Sequence, residues 1–121
     1  MIIDQSVLLG LNNLLGLNYT GAEQDWDIEF ADSNRVHDFI KIAQHSSLSV
    51  SEKYAVISLI LASYDDFLAV KEDTNQLLWS KITDLINPDR EIYKDLLSYW
   101  ARWDKENDDR FLITPLVRST F

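Results

Sequence analysis

Carboxylates are the residues of this 121-residue chain that are numerous and close enough together to do chemistry. The segment Asp25-Trp26-Asp27-Ile28-Glu29 places three acids on one side of an extended backbone, and such a set can bind Ca²⁺ or Mg²⁺. A calcium loop that begins at Asp25 needs a glycine at its sixth position and a glutamate at its twelfth, where this chain has Phe30 and Val36. Because the calcium-loop pattern is missing, a solvated acidic face is the better interpretation of this segment.

A second pair of acids, Asp65-Asp66, follows the most apolar stretch of the chain. Neighbouring carboxylates can raise each other's pKa and act as general acid and base, with Glu52 as a further candidate. His37 and His45 are separated by about 80° around a helix, so they do not share a face as two metal ligands would. We expect no catalytic residues, no resident metal and no cofactor. A carboxylate-based metal protein or enzyme is kept as an alternative.

Two scarce residue types exclude several kinds of site. The chain has no cysteine, which excludes disulfides, thiolate metal sites and cysteine nucleophiles and fits an intracellular protein. Its three glycines all precede residue 22, so it contains no glycine-rich phosphate loop or dinucleotide-binding fingerprint.

The longest uncharged apolar stretch, residues 54–64, is shorter than the roughly 20 residues that cross a bilayer. We therefore expect a cytoplasmic protein with one domain, residues 1–121.

The net charge of −9 is distributed unevenly along the chain. Residues 1–34 contain six acids and no lysine or arginine. Nucleic acid and anionic membrane surfaces are poor partners, because both are bound by clusters of lysine and arginine. An acidic face instead attracts a basic protein, and exposed tryptophans often anchor such an interface. The residues predicted to bind this partner are Asp25, Trp26, Asp27, Glu29, Asp32 and Trp103, and the two tryptophans are expected to be exposed.

The spacing of apolar residues predicts an all-α fold, a compact bundle of about five helices. The predicted helices cover residues 5–15, 34–44, 50–68, 75–86 and 88–103. The third is apolar on nearly every side and follows the capping box Ser49-Val50-Ser51-Glu52, so we expect it to be the buried centre of the fold.

Local signals predict where some of these helices begin and end. Gly16 is expected to end the first helix, and Asp73 or Thr74 is expected to cap the fourth. Asn87-Pro88 is expected to end the fourth helix and begin the fifth, which predicts that these two helices are roughly antiparallel.

Two short segments have a different pattern. Trp26, Ile28 and Phe30 alternate with acids, which is the period of a half-buried strand, and the partner available to such a strand lies near the C-terminus. One interpretation is a short two-stranded pairing of residues 25–30 and 111–115. The other, which we favour, is that both are extended loops whose aromatic side chains pack on the helices.

The size, helicity and charge of the chain are similar to those of small acidic bacterial immunity proteins and antitoxin-like inhibitors. No motif accompanies this likeness, so it assigns no residue roles. It implies a non-enzymatic protein-binding domain that occludes a basic partner, with its carboxylates in place of an anionic substrate. The alternative is a helical structural or adaptor subunit that self-associates through the aromatic fifth helix and forms a homo-oligomer.

Overall fold

The computed structural model describes residues 1–45, 47–103 and 111–121. Its α-helices, in chain order, are α1 (Gln5–Gly10), α2 (Asn12–Leu15), α3 (Trp26–Glu29), α4 (Val36–His45), α5 (Val50–Val70), α6 (Leu77–Ile86), α7 (Lys94–Ala101) and α8 (Thr114–Thr120). Two 3₁₀ helices, Thr74–Gln76 and Asn87–Tyr93, precede α6 and α7. These ranges contain no strand, and their buried side chains form one core, so the predicted all-α bundle is confirmed.

The central helix is α5, as predicted. Its capping box is formed in full: the Ser49 hydroxyl accepts the Glu52 N–H at 3.1 Å, and the Glu52 carboxylate accepts the Ser49 N–H at 2.9 Å. Nearly every residue from 54 to 64 is buried, because α1, α3, α4 and α6 pack around this helix. No helix in the described part of the chain has the length and apolar character that crossing a membrane requires.

The predicted first helix is interrupted. Leu11 separates α1 from α2, and its side chain is buried in the core. The side chain of Asn12, the first residue of α2, donates to the Tyr19 carbonyl at 2.8 Å and accepts the Tyr19 N–H at 3.0 Å. These two bonds fix the loop that follows α2. Gly16 ends α2 with a φ of 65°, the left-handed conformation that glycine adopts without strain.

The strand pairing of residues 25–30 and 111–115 does not occur, and the favoured interpretation of two extended loops is wrong for residues 26–29 and from residue 114 onward, which are helical. The first segment forms the single turn of α3, in which Trp26 and Phe30 lie on one side. Trp26 is buried and Phe30 is half-buried against the core, whereas Ile28 is 47% exposed. Over six residues, apolar side chains at positions i and i+4 fit both a strand and one helical turn, so the pattern could not separate the two.

The second segment of that pairing leads into α8, a helix that the sequence pattern did not predict. α8 begins at Thr114, has Pro115 in its first turn, and packs on α7. The Thr114 hydroxyl donates to the Trp100 carbonyl at 2.8 Å and accepts the Phe111 N–H at 3.0 Å. These bonds place α8 against the end of α7.

The predicted fourth and fifth helices differ from expectation at their junction. α6 ends at Ile86, as predicted, and Pro88 lies in the first turn of the 3₁₀ helix Asn87–Tyr93, in which Asp89 has a non-helical backbone (φ −131°, ψ 37°). The difference is that this element is a 3₁₀ helix and that α7 begins only at Lys94. The predicted cap of the fourth helix is confirmed in a modified form: the Asp73 carboxylate accepts the N–H groups of Leu78 and Trp79, both at 3.0 Å, across the intervening 3₁₀ helix Thr74–Gln76.

Candidate acidic groove

A surface groove of about 310 Å³ opens between α3, α5 and α7. Its lining combines three carboxylates with apolar and aromatic side chains: Asp25, Asp27, Asp95, Met1, Ile28, Tyr54, Leu96 and Tyr99. We call this surface the acidic groove. A smaller neighbouring pocket of about 200 Å³ shares Met1, Asp27 and Tyr54 with it.

The short helix α3 positions the first two carboxylates. Trp26 fills the core beneath the helix, and Phe30, one turn later, meets the Tyr19 ring edge-on with 6.1 Å between ring centroids. Asp27 is held in place by the Ser58 hydroxyl of α5, which donates to its Oδ2 at 2.8 Å. Asp25 precedes the helix and is exposed. The Asp27 carboxylate is therefore fixed by α5, and the exposed Asp25 carboxylate is free to reorient.

The third carboxylate comes from α7. Asp95 and Tyr99 are four residues apart, so they project from the same side of that helix. Tyr99 is 47% exposed, and its ring packs at 5.2 Å, edge to face, on the buried Trp100. The groove thus has an apolar and aromatic surface between Asp25 and Asp27, which lie early in the chain, and Asp95, which lies late in it.

Tyr54 forms the buried side of the groove, and the pKa of its hydroxyl responds to the charges around it. Its ring stacks on that of Tyr93 with 5.7 Å between centroids. Burial raises the pKa of the Tyr54 hydroxyl, and the negative charges of Asp95 and Asp27 raise it further. Burial, together with Asp89 and Tyr54, raises the pKa of Tyr93 to about 12. Both tyrosines therefore stay neutral at physiological pH. Among the described residues, the charged groups of the groove are its three carboxylates and the Met1 ammonium, which donates to the Tyr54 hydroxyl at 3.3 Å.

The predicted partner-binding residues divide into three groups. Asp25 and Asp27 line the acidic groove, and Glu29 lies exposed two residues further along α3. Asp32 is not in the groove; its Oδ1 accepts the Asn34 N–H at 2.9 Å in the turn before α4. Trp103, as expected, is exposed, but it lies at a separate cleft between α7 and α8.

Trp26 corrects the expectation that both tryptophans are exposed, because only 6% of its surface is accessible. An indole ring buries a large apolar area, and the acids on either side of Trp26 reach solvent while the ring does not. The side chains available to anchor a partner at the groove are instead Ile28 and Tyr99.

The sequence did not indicate that Asp95, Tyr54 and Tyr99 belong with residues 25–29. The spacing of Asp95 and Tyr99 shows that they share a helix face, but not which other element that face meets. Tyr99 is 47% exposed. The sequence could not show which element it faces, because α3 and α7 are more than sixty residues apart and only tertiary packing brings them together.

The other candidate chemical residues lie elsewhere. Asp65 is half-buried and its Oδ1 accepts the Ile113 N–H at 2.9 Å, whereas Asp66 is exposed. Glu52 belongs to the capping box of α5, and His37 and His45 are exposed on α4. Two of the candidate acids, Asp65 and Glu52, therefore already have backbone partners.

The acids of the groove are not grouped as metal ligands are. Within residues 1–45, 47–103 and 111–121, no three His, Cys, Asp or Glu side chains are placed to hold one metal ion. Carboxylates spread over a concave surface suit several separate cationic groups, such as the side chains of a basic protein segment, better than one compact ion.

Comparison with known proteins adds no assignment to this geometry. The chain matches no protein-family model, no curated protein and no solved structure. A fold class alone does not define a function, since unrelated functions occur on the same fold. The features of this chain that bear on its function are therefore the acidic groove and the uneven charge.

Proposed function

We propose that this chain is a non-enzymatic protein-binding domain whose acidic groove binds a basic segment of a partner protein. The observation that carries the proposal is the combination, in one groove, of Asp25, Asp27 and Asp95 with the half-exposed Ile28 and Tyr99. Carboxylates attract lysine and arginine, and exposed apolar and aromatic surface gives the contact area that charge alone does not provide.

The charge of the chain supports the same proposal. Residues 1–34 contribute six acids without a lysine or arginine, and the groove adds Asp95 of α7 to two of these acids. Several like charges around one concave surface raise its potential and speed the encounter with an oppositely charged protein. The pKa of Tyr54 is raised by burial and, further, by Asp95 and Asp27, so this residue lies near both carboxylates.

The more specific form of the proposal is an inhibitor or immunity-type protein. In that form, the acidic groove covers the basic active site of an enzyme and its carboxylates take the place of an anionic substrate. The support is the small size, the helical fold and the charge of −9. The cytoplasmic location expected from the sequence stays a prediction.

The test is a pull-down from native lysate with matched charge variants. The groove variant carries Asp25→Lys, Glu29→Lys and Asp95→Lys, all at exposed positions. The control variant carries Asp66→Lys, Glu72→Lys and Asp84→Lys, also exposed, and changes the net charge by the same amount. Beads are washed at about 50 mM and then about 500 mM salt, a range over which exposed charges become largely screened.

We expect the wild type and the control variant to retain the same basic protein at low salt and to release it at high salt. The groove variant should retain none of it. Equal retention by the groove variant would show that the partner binds another surface. Retention lost in both variants would show that net charge, and not the groove, attracts it.

A further inference from the structure

The polar groups of the acidic groove differ in whether another part of the chain already bonds to them. The Asp27 carboxylate accepts the Ser58 hydroxyl at 2.8 Å and the Ile28 N–H at 3.0 Å. The Tyr54 hydroxyl accepts a bond from the Met1 ammonium at 3.3 Å. A partner that binds at these groups has to compete with contacts inside the protein, so groups without such contacts bind a new side chain more readily.

Asp25 and Asp95 are the carboxylates of the groove that are open to a partner. Both residues are exposed, and within residues 1–45, 47–103 and 111–121 neither carboxylate has a hydrogen bond or an ion pair. Asp25 precedes the single turn of α3, whereas Asp95 lies one turn before Tyr99 on the same side of α7. Asp95 and Tyr99 therefore present a carboxylate and an aromatic ring that one incoming side chain can contact together.

The ring of Tyr99 is fixed and still accessible. Its centroid lies 5.2 Å from that of Trp100, edge to face, and 5.5 Å from that of Phe111. These contacts restrict the ring and leave Tyr99 47% exposed. A side chain that is already restricted loses little conformational entropy on binding, so this ring is a ready surface for a flat group to stack on.

Arginine and lysine use such a pair differently. The guanidinium of arginine is planar, binds a carboxylate through two parallel N–H groups and stacks on an aromatic ring. The ammonium of lysine is compact and more strongly hydrated, so it loses more when it is placed against apolar surface. Ile28 and Leu96 supply apolar surface in this groove. An arginine therefore gains from the carboxylate and the ring, whereas a lysine gains mainly from the carboxylate.

The same combination occurs elsewhere on the surface of this protein. The Arg35 guanidinium carbon lies 4.5 Å from the centre of the Phe39 ring, and its Nε lies 3.9 Å from the Asp38 carboxylate. Asp38 and Phe39 are neighbours on α4, as Asp95 and Tyr99 are neighbours one turn apart on α7. One guanidinium can thus meet an acid and a ring of the same helix at the same time.

The geometry points to arginine as the basic residue that the acidic groove selects, with its guanidinium paired to the Asp95 carboxylate and stacked on the Tyr99 ring. This inference rests on the proposed function and names the residue that the partner's basic segment presents. Asp25 attracts either kind of basic side chain, because it has no ring one turn away on its own short helix. Asp95 and Tyr99 are therefore the residues that determine specificity.

The experiment compares two capped peptides of equal length and charge, in which either arginine or lysine alternates with leucine. Their dissociation constants are measured by fluorescence anisotropy at about 50 mM salt, where exposed charges are weakly screened. We expect the wild type to bind the arginine peptide about fivefold more tightly than the lysine peptide, as stacking of one cation on an exposed ring predicts.

Variants at the two residues separate the ring from the charge. Tyr99→Leu keeps an apolar side chain but removes the ring, so the two peptides should bind with equal affinity. Tyr99→Phe keeps the ring and should keep the preference. Asp95→Asn should weaken both peptides and reduce the preference. The control Trp103→Leu removes an exposed ring outside the groove, and it should leave both affinities unchanged.

The outcomes distinguish this inference from the proposed function. Equal binding of the two peptides to the wild type, tighter binding of the lysine peptide, or a preference that persists in Tyr99→Leu would overturn the selection of arginine and leave the groove as a site for basic segments. Binding of neither peptide, or unchanged binding by the groove variant, would overturn the proposed function as well. Circular dichroism checks the fold of each variant, and if Tyr99→Leu unfolds, an unchanged preference in Asp95→Asn overturns the inference.

Discussion

Asp65 is half-buried where the end of α5 meets the segment that leads into α8. Burial raises the pKa of this carboxyl, the neighbouring Asp66 raises it further, and the N–H groups of Ile113 and Leu112 partly oppose the rise. The sequence suggested a general acid or base at Asp65-Asp66. In the structure the same residue joins α5 to the chain before α8, and burial at this junction is the main cause of its raised pKa.

The raised pKa gives a pH dependence of stability with a defined sign. Above the ordinary aspartate value of 3.8, the unfolded chain loses its proton more readily than the folded one, so stability falls as the pH rises toward the folded pKa. Asp65→Asn keeps an acceptor for Ile113 and carries no charge. We expect the variant to melt at a higher temperature than the wild type at pH 7, with the difference vanishing below about pH 4.

The measurement is thermal unfolding followed by circular dichroism between pH 3 and pH 8, with Asp84→Asn as an exposed control. A difference between Asp65→Asn and the wild type that grows as the pH is lowered would contradict the assignment, because it would mean that the folded state favours the ionised carboxylate.

For single residues, hydrogen bonds between near neighbours in the chain could be predicted from the sequence, whereas the burial of a side chain could not. The Ser49–Glu52 capping box was correct because both partners lie within four residues of each other. Trp26 and Trp103 both have charged neighbours in the sequence, yet one is 6% and the other 62% exposed. Which of them is covered depends on the elements that pack nearby, and those contacts are not encoded in the neighbouring residues.

Among the elements, α6 depends on a single carboxylate at its start. Asp73 accepts the Tyr64 hydroxyl at 2.7 Å and the N–H groups of Leu78 and Trp79 at 3.0 Å. Tyr64 is fully buried, and its ring stacks on Trp79 with 5.6 Å between centroids. Burial and the bonded Asp73 carboxylate both raise the pKa of Tyr64, so its hydroxyl remains the donor.

Asp73→Ala should destabilise the protein by about 2–3 kcal/mol, because it removes the cap of α6 and leaves a buried hydroxyl without a partner. Tyr64→Phe should cost less, about 1 kcal/mol, since Asp73 keeps its two backbone donors. Urea unfolding measures both. The exposed control Asp84→Ala should stay within about 0.5 kcal/mol of the wild type. A Tyr64→Phe variant less stable than Asp73→Ala would contradict this ranking.

The long helices were predictable and the short ones were not. The apolar spacing of α4, α5 and α6 extends over ten residues or more, which is enough to define a helical period. α3 is a single turn and α8 has seven residues, so their helicity depends on packing: Trp26 enters the core beneath α3, and Thr114 bonds to Trp100 at the start of α8. The junction at Asn87-Pro88 was predicted at the right place, but the type of helix after it was not, because proline fits the start of a 3₁₀ helix as well as that of an α-helix.

Across the whole molecule, α7 contributes Asp95, Leu96 and Tyr99 to the acidic groove and packs on α8. The sequence indicated the acidity of the N-terminal third and the all-α fold. It did not indicate that Asp95 joins the acids of α3, because only the packing of α3 and α7 around α5 brings them together.

The most direct test of the acidic groove is the rate at which the protein binds the basic partner that it captures at low salt. For the wild type we expect the association rate constant to fall steeply as ionic strength rises. At low salt, we expect the groove variant (Asp25→Lys, Glu29→Lys, Asp95→Lys) to associate at about one tenth of the wild-type rate or below. The control variant (Asp66→Lys, Glu72→Lys, Asp84→Lys) should stay close to the wild type. An association rate that is the same for the wild type and the groove variant would contradict the proposed role of the acidic groove.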